Sequence, residues 1–238
     1  KQNDMCTVSY IPKSEGYIVT FNRDEAPDRT AEPPKKRILK NGLVLTAPKD
    51  LLKGGTWIAI DANGRTACLL NGGFAKHIRK NEYRKSRGYL VIDAFEAANF
   101  NAFLANLFLE DMEPFTLLLF EPKLVQQLVW DGNTIYTIKL PTESKHLWSS
   151  STLFTPEQHS TKLNYLLEAL ENSRMDSEQV LKIHGKEIKT PFVIDRKTVK
   201  TVSITQHYFN GKNSKLTYIS KLKSNEKSTP IPFTFHYS

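Results

Sequence analysis

Cys6 is the residue with the clearest capacity for chemistry, because a thiolate is a strong nucleophile toward carbonyl carbon. It stands before an alternating stretch, residues 7–10, that is typical of a half-buried β-strand. The turn at residues 13–16 and the β-branched and aromatic residues 17–21 predict a second strand that returns beside the first. Strand pairing alone therefore predicts that residues 22–24 lie next to Cys6.

These three residues, Asn22, Arg23 and Asp24, would add an amide, a guanidinium and a carboxylate to the thiol at one end of a sheet. A cysteine nucleophile needs a base or a nearby positive charge. None of the six histidines lies close to Cys6 in the sequence or in a cysteine-protease signature. The residues alone leave a second interpretation open, in which Cys6 is a small buried apolar residue and residues 22–24 form a turn with a weak surface ion pair.

Several short blocks, taken in order along the chain, resemble a known family. The blocks are Met5-Cys6-Thr7, Asn22-Arg23-Asp24-Glu25, Gly54-Gly55-Thr56-Trp57 and residues 64–72, followed more weakly by residues 146–150, Thr155-Pro156 and residues 200–203. Through them the sequence resembles the NRDE family, which includes proteins similar to transport and Golgi organisation protein 2. Through that family it also resembles, at a distance, the cysteine N-terminal-nucleophile (Ntn) hydrolases of the choloylglycine hydrolase and penicillin V acylase type.

The order of the predicted elements indicates an α+β fold with mostly antiparallel sheets. Besides the first hairpin, we expect strands at residues 56–60, 65–70, 115–120, 124–130 and 134–140 and between residues 192 and 237, and helices at residues 88–109, 155–172 and 177–183. The resemblance implies a sharper architecture, the αββα four-layer sandwich of Ntn hydrolases. It implies one domain over residues 1–238, with residues 1–5 as a leader.

The resemblance also implies a reaction, the hydrolysis of a linear, non-peptide carbon–nitrogen amide bond. In Ntn hydrolases the nucleophile is the first residue, so the α-amine of a released Cys6 would accept the thiol proton. Arg23 would place positive charge near the thiolate, and Asp24 would orient the α-ammonium group. Asn71 would help to stabilise the oxyanion. The resemblance thus implies four catalytic residues.

Three further residues are implied as contacts to the substrate. Asn22 belongs to the four-residue motif. Ser150 stands near a position where the family has an amide, and its hydroxyl would donate less rigidly. Lys200 replaces an arginine of the family, and this keeps the charge but loses the planar fork of donors.

The alternative function is a non-catalytic binding or trafficking module, in which Cys6 is structural or contacts a ligand. Five residues precede Cys6, so the α-amine becomes available only if the bond between Met5 and Cys6 is cleaved. An unreactive Cys6 that keeps its leader would favour the binding module.

The composition and charge of the chain limit the kinds of molecule that the protein is expected to bind. The net charge of +8 comes from short basic runs, which usually form solvated faces. The sequence has no basic stripe with interleaved stacking aromatics, so a nucleic-acid site is not predicted. We expect a small-molecule amide substrate of anionic or amphipathic character, held by the loop at residues 26–40, the basic segment 76–87 and the loop around Trp148.

No cofactor and no metal are predicted, because the sequence has neither a phosphate-binding glycine loop nor a metal-spaced His/Cys cluster. Two cysteines, Cys6 and Cys68, do not indicate a disulfide framework. The longest apolar runs are too short for a membrane span, and the first residues lack a signal-peptide core. We therefore expect a cytoplasmic protein.

Overall fold

The computed structural model describes residues 6–150, 155–171, 176–222 and 233–236, so the expected leader at residues 1–5 lies outside the described residues. The strands are β1 (Thr7–Pro12), β2 (Tyr17–Glu25), β3 (Ala31–Ile38), β4 (Val44–Asp50), β5 (Ile58–Ile60), β6 (Thr66–Asn71), β7 (Phe115–Glu121), β8 (Leu124–Trp130), β9 (Ile135–Leu140), β10 (His146–Ser149), β11 (Lys200–Phe209), β12 (Ser214–Ser220) and β13 (Phe233–His236). The helices are α1 (Gly88–Glu96), α2 (Phe100–Ala105), α3 (Pro156–Glu171) and α4 (Ser177–Ile183).

The strands form two antiparallel sheets. The first has the order β10-β1-β2-β11-β12-β13, and the second has the order β3-β4-β5-β6-β7-β8-β9. In the first sheet Thr7 lies opposite Asn22, so the predicted hairpin is confirmed and the end of β2 does lie beside Cys6. On its other side β2 pairs with β11, with a register shift between Thr201 and Ser203.

Apolar clusters separate the layers. The two sheets face each other through side chains such as Phe21 and Phe120. Helices α1 and α2 cover the outer face of the second sheet, and α3 and α4 cover the outer face of the first. The predicted α+β architecture of four αββα layers is therefore confirmed. No helix in the described part of the chain combines the length and the apolar composition that crossing a bilayer requires.

Two predicted elements differ from the structure. Residues 31–38, expected within a loop, form the edge strand β3. The two prolines in it are tolerated because they sit at the edge of the sheet, where the pairing with β4 shifts register between Glu32 and Lys35. The helix expected over residues 88–109 is divided in two because the backbone of Ala97 is extended, and the side chain of Asn99 then caps α2 by accepting from the backbone N–H of Ala102.

A chain of buried polar groups also joins the sheets. The Tyr17 hydroxyl of β2 donates to the carbonyl oxygen of Gly64 at 2.6 Å and lies 3.0 Å from the Thr66 hydroxyl. His207 of β11 contacts that hydroxyl at 2.5 Å through Nδ1 and Ser214 at 3.0 Å through Nε2. Burial lowers the pKa of His207 to about 3, so it is neutral near pH 7.

This neutral histidine predicts a component of acid sensitivity. The folded state does not protonate His207 between pH 6.5 and about 3, whereas the unfolded state does, so stability falls as the pH drops through that range. Replacing His207 with Gln removes this contribution. Below the ordinary histidine pKa, the unfolding free energy of His207→Gln should fall by about 1.4 kcal/mol less per pH unit than that of the unchanged protein, as measured by urea unfolding between pH 7 and pH 5.

The matched control is His146→Gln, since His146 is only partly buried and bonds a backbone carbonyl oxygen. It leaves His207 in place, so its stability should fall more steeply toward acid than that of His207→Gln. Equal pH slopes for His207→Gln and the unchanged protein would contradict the neutral, buried state of His207.

Candidate active site

Cys6 lies directly before β1, at the inner end of a cleft between the two sheets. It is 6% exposed and belongs to the apolar cluster that the sheets share. Its carbonyl oxygen accepts from the Ser150 backbone N–H at 2.9 Å, and its Sγ lies 4.0 Å from the carbonyl oxygen of Asp24. Backbone groups on both sides therefore hold Cys6 in place.

A cavity of about 520 Å³ opens from this position. Three of the predicted site residues line it: Cys6, Arg23 and Asn71. The basic segment also contributes as expected, since Arg79 and Lys85 belong to the lining. Of the two loops expected at the cavity, the loop at residues 26–40 contributes Arg29 to the lining. In the other loop, Trp148 packs between the sheets and donates to Gln127 Oε1 at 2.8 Å.

Arg23 forms part of a buried ionic cluster in the cavity wall. Its guanidinium donates to Asp50 Oδ2 at 2.7 Å and lies 3.7 Å from Glu25. Arg29 contacts the same two carboxylates at 2.8 and 3.0 Å. The Arg23 guanidinium also lies over the ring of Trp57, 4.5 Å from its centroid. Two cations and two anions therefore balance in the cluster, and Arg23 is held in one orientation.

Asp24 points to the opposite face of the sheet from Arg23, because successive side chains of a strand alternate. It is fully buried, and its Oδ1 accepts from the Thr201 hydroxyl at 2.5 Å. Its Oδ2 has no hydrogen-bond partner within the described ranges. Desolvation raises the pKa of Asp24 to about 8, although the Thr201 hydrogen bond and the charges of Lys162 and Arg196 lower it. A buried carboxyl oxygen without a hydrogen-bond partner is costly.

Lys162 is the residue of this region that the sequence analysis missed. It lies in α3 and is 2% exposed, and its Nζ donates to the Thr7 hydroxyl at 2.6 Å. Burial lowers its pKa to about 8, opposed by the charges of Asp24 and Cys6. A signal was present, since Lys162 occupies the apolar side of the helix, four residues before the buried Leu166 and eight before the buried Leu170.

Asn22 also faces the helices and is fully buried. Its amide donates to the carbonyl oxygens of His184 and Phe192, both at 2.9 Å, and its Oδ1 lies 2.7 Å from His184 Nδ1. Burial lowers the pKa of His184 to about 3, so the neutral ring donates to Asn22 and accepts from the Ser9 hydroxyl at 2.7 Å. This Ser–His–Asn chain has the hydrogen-bond order of a nucleophilic triad, but its members are fully buried, so their positions favour a structural role.

Asn71 and Ser150 join the two sheets close to Cys6. The Ser150 hydroxyl donates to the carbonyl oxygen of Asn71 at 2.5 Å. Ser150 is 1% exposed and does not line the cavity, whereas Asn71 does. Their contact sets the distance between the end of β6 and the strand region around β10.

Lys200 lies away from the cavity lining. Its side chain is 44% exposed and pairs with Asp195 at 2.9 Å. Within the described residues, no group of three His, Cys, Asp or Glu side chains is arranged to hold a metal ion. The structure therefore brings Cys6, Arg23 and Asn71 together, places Asp24 behind them across the sheet, and leaves Asn22, Ser150 and Lys200 outside the cavity.

Comparison with known proteins relates this arrangement to a family. The family model described as Transport and Golgi organisation 2 matches residues 5–231. A search of curated protein sequences gives no significant match.

Solved structures share the fold at low sequence identity. A Caenorhabditis elegans ortholog of N-acylethanolamine-hydrolyzing acid amidase is 11% identical, with a TM-score of 0.59 over 84% of this chain and 91% of that one. Two variants of the conjugated bile acid hydrolase from Clostridium perfringens are each 9% identical over 98% of this chain and 97% of theirs. Their TM-scores are 0.59 for the cysteine-to-alanine mutant and 0.60 for the arginine-to-leucine variant.

The ionic cluster generates a prediction about stability. Asp50→Ala should lower the unfolding free energy by about 3 to 5 kcal/mol, because the guanidinium groups of Arg23 and Arg29 lose their shared buried acceptor. Urea unfolding at constant pH measures the change. Glu32→Ala on the edge strand β3 is the matched control, since Glu32 pairs with Lys35 at the surface and its loss should leave the unfolding midpoint unchanged. Equal midpoints for the two variants would contradict the role of Asp50.

Proposed function

This chain belongs to the Transport and Golgi organisation 2 family, and we propose that it is a cysteine amidohydrolase of the Ntn type. In this proposal Cys6 attacks the carbonyl carbon of a linear, non-peptide amide. The observation that carries the proposal is the position of Cys6 and Arg23, which lie on neighbouring strands and line the same cavity of about 520 Å³. The likeness in fold to an acid amidase and a bile acid hydrolase supports it.

The proposed reaction has two halves. The thiolate of Cys6 forms a bond to the amide carbon, and the carbonyl oxygen becomes an oxyanion that the Asn71 side chain would stabilise. The carbon–nitrogen bond then breaks, and the amine leaves with the proton that the thiol had given up. Water hydrolyses the resulting thioester and restores Cys6.

Arg23 would stabilise the thiolate before attack. A guanidinium stays protonated at all relevant pH values, and the contacts to Asp50 and Trp57 keep this one in the cavity wall. The acidic partners of Arg23 and Arg29 reduce the net charge of the cluster. Arg23 would therefore act on the thiolate as a fixed local charge. The outer cavity residues would bind the substrate.

The proton acceptor in this proposal is the α-amine of Cys6, which exists only after the bond between Met5 and Cys6 is cleaved. Oδ2 of Asp24 supports this step, because it has no hydrogen-bond partner among the described residues and an ammonium group beside it would favour the ionised carboxylate. An α-amine has an ordinary pKa of about 8. It can therefore accept the thiol proton and return it to the leaving amine near neutral pH.

The lining of the cavity favours an anionic or amphipathic substrate. Trp57 and Leu69 provide apolar surface near Cys6. Four further basic residues belong to the lining, Lys53, Arg79, Lys85 and Arg87, against two acidic residues outside the ionic cluster, Glu82 and Glu113. Arg79 pairs with Glu113 at 3.2 Å and Lys85 with Asp93 at 2.5 Å, so the excess of positive charge is small. An acyl chain inside and a negative group at the mouth would match this distribution.

A binding or trafficking module is the second candidate function. The observation that favours it is that Met5 is joined to Cys6, so Cys6 has no α-amine until that bond is cleaved. In that case the same cavity would hold a ligand without cleaving it.

The test uses protein whose first residue is verified by intact mass to be Cys6. This protein should hydrolyse members of a panel of N-acyl amides, measured by amine release. Cys6→Ala should reduce the rate by about 10³-fold or more, because the nucleophile is removed. Its thermal unfolding midpoint should stay close to that of the unchanged protein.

Cys68→Ala is the matched control, since Cys68 is a fully buried free thiol of the second sheet and lies outside the cavity lining. It should keep its turnover per folded molecule. Full turnover by Cys6→Ala would overturn the proposal. Ligand binding by released protein without amine release would favour the binding module.

A further inference from the structure

The geometry points to Lys162 as a positioning residue for Cys6. We infer that its ammonium group, anchored on the Thr7 hydroxyl, stabilises the Cys6 thiolate from the helix side of the first sheet. This inference deepens the proposed function, since it rests on Cys6 being the nucleophile. It identifies Lys162 of helix α3 as a second cation near the thiol. The sequence motif around Cys6 does not include this helix.

The placement of Lys162 is unusual for a lysine. Lysine side chains are almost never fully buried unless they are paired, yet Lys162 is 2% exposed. Its Nζ donates at 2.6 Å to the hydroxyl of Thr7, the residue directly after Cys6. Nζ also lies 5.9 Å from the centroid of the Phe192 ring. The ammonium is therefore held against the side chain of the residue that follows Cys6, in a region where bulk water does not screen its charge.

The charged groups around Lys162 come from several elements. Asp24 of β2 and Cys6 interact electrostatically with it and favour its protonated form, while Arg196 disfavours that form. His159 of α3 and His184 after α4 also feel its charge, and burial together with that charge lowers the pKa of each. Among these groups, Asp24 and Cys6 are the ones that favour the ammonium form of Lys162.

Reciprocity gives the direction of the effect on Cys6. If a thiolate at Cys6 favours the ammonium at Lys162, that ammonium favours the thiolate by the same free energy. Arg23 acts on Cys6 from the cavity side and Lys162 from the helix side. The two cations differ in kind, because burial lowers the pKa of Lys162 to about 8 and a guanidinium does not titrate. The contribution of Lys162 is present at neutral pH and is lost in alkaline solution.

The experiment measures the alkylation of Cys6 by iodoacetamide as a function of pH, which requires no amide substrate. Peptide mass spectrometry separates Cys6 from Cys68, the other cysteine of the chain. Lys162→Met keeps the length of the side chain and removes its charge. The alkylation midpoint should move up by about one pH unit, so that the rate at pH 7 falls about tenfold.

Lys182→Met is the matched control, because Lys182 is a lysine of α4 whose side chain is 45% exposed. It removes the same formal charge and should leave the midpoint unchanged. Thr7→Val is the second variant, since it keeps the shape of the side chain but removes the acceptor of Lys162. It should shift the midpoint in the same direction by a smaller amount.

A folded Lys162→Met protein with the alkylation midpoint of Lys182→Met would overturn the inference. If Lys162→Met does not fold, an unchanged midpoint in Thr7→Val would overturn it instead. A shifted midpoint in a protein that releases no amine would support the inference about Lys162 and count against amide hydrolysis, so the two failures are distinguishable.

Discussion

The alternation of side chains along β2 is the constraint on which the site depends. All nine residues of this strand are buried, since β1 and β11 flank it and both of its faces are covered. Arg23 and Glu25 therefore face the cavity side, while Asn22 and Asp24 face the helices. Four consecutive polar residues can occupy two different environments because successive side chains of a strand point to opposite faces of the sheet.

The two faces of β2 satisfy their polar groups in different ways. On the cavity side the cations and carboxylates are matched by short contacts, and on the helix side the amide of Asn22 makes hydrogen bonds to His184 and Phe192. Asp24 is the exception, since one of its oxygens lacks a partner within the described ranges. Buried polar groups are usually hydrogen-bonded, so this unpaired oxygen is a cost that the rest of the strand avoids.

The sequence was sufficient for the fold and for part of the site. Period-two alternation and the turn residues predicted the hairpin that brings Arg23 beside Cys6, and the resemblance supplied the four layers. The strand β3 was missed because Pro33 and Pro34 look like loop residues, although an edge strand accepts them. Lys162 was missed because its partner Thr7 is 155 residues away in the sequence, and only the packing of α3 on the sheet brings them together.

Ser150 links Cys6 beside one sheet to Asn71 of the other. Its N–H binds the backbone of Cys6, and its hydroxyl binds the backbone of Asn71. A single residue thereby bridges the two halves of the sandwich at the level of the thiol. If the sheets slid past each other, the separation between Cys6 and Asn71 would change, so the geometry around the thiol depends on how the two sheets are aligned.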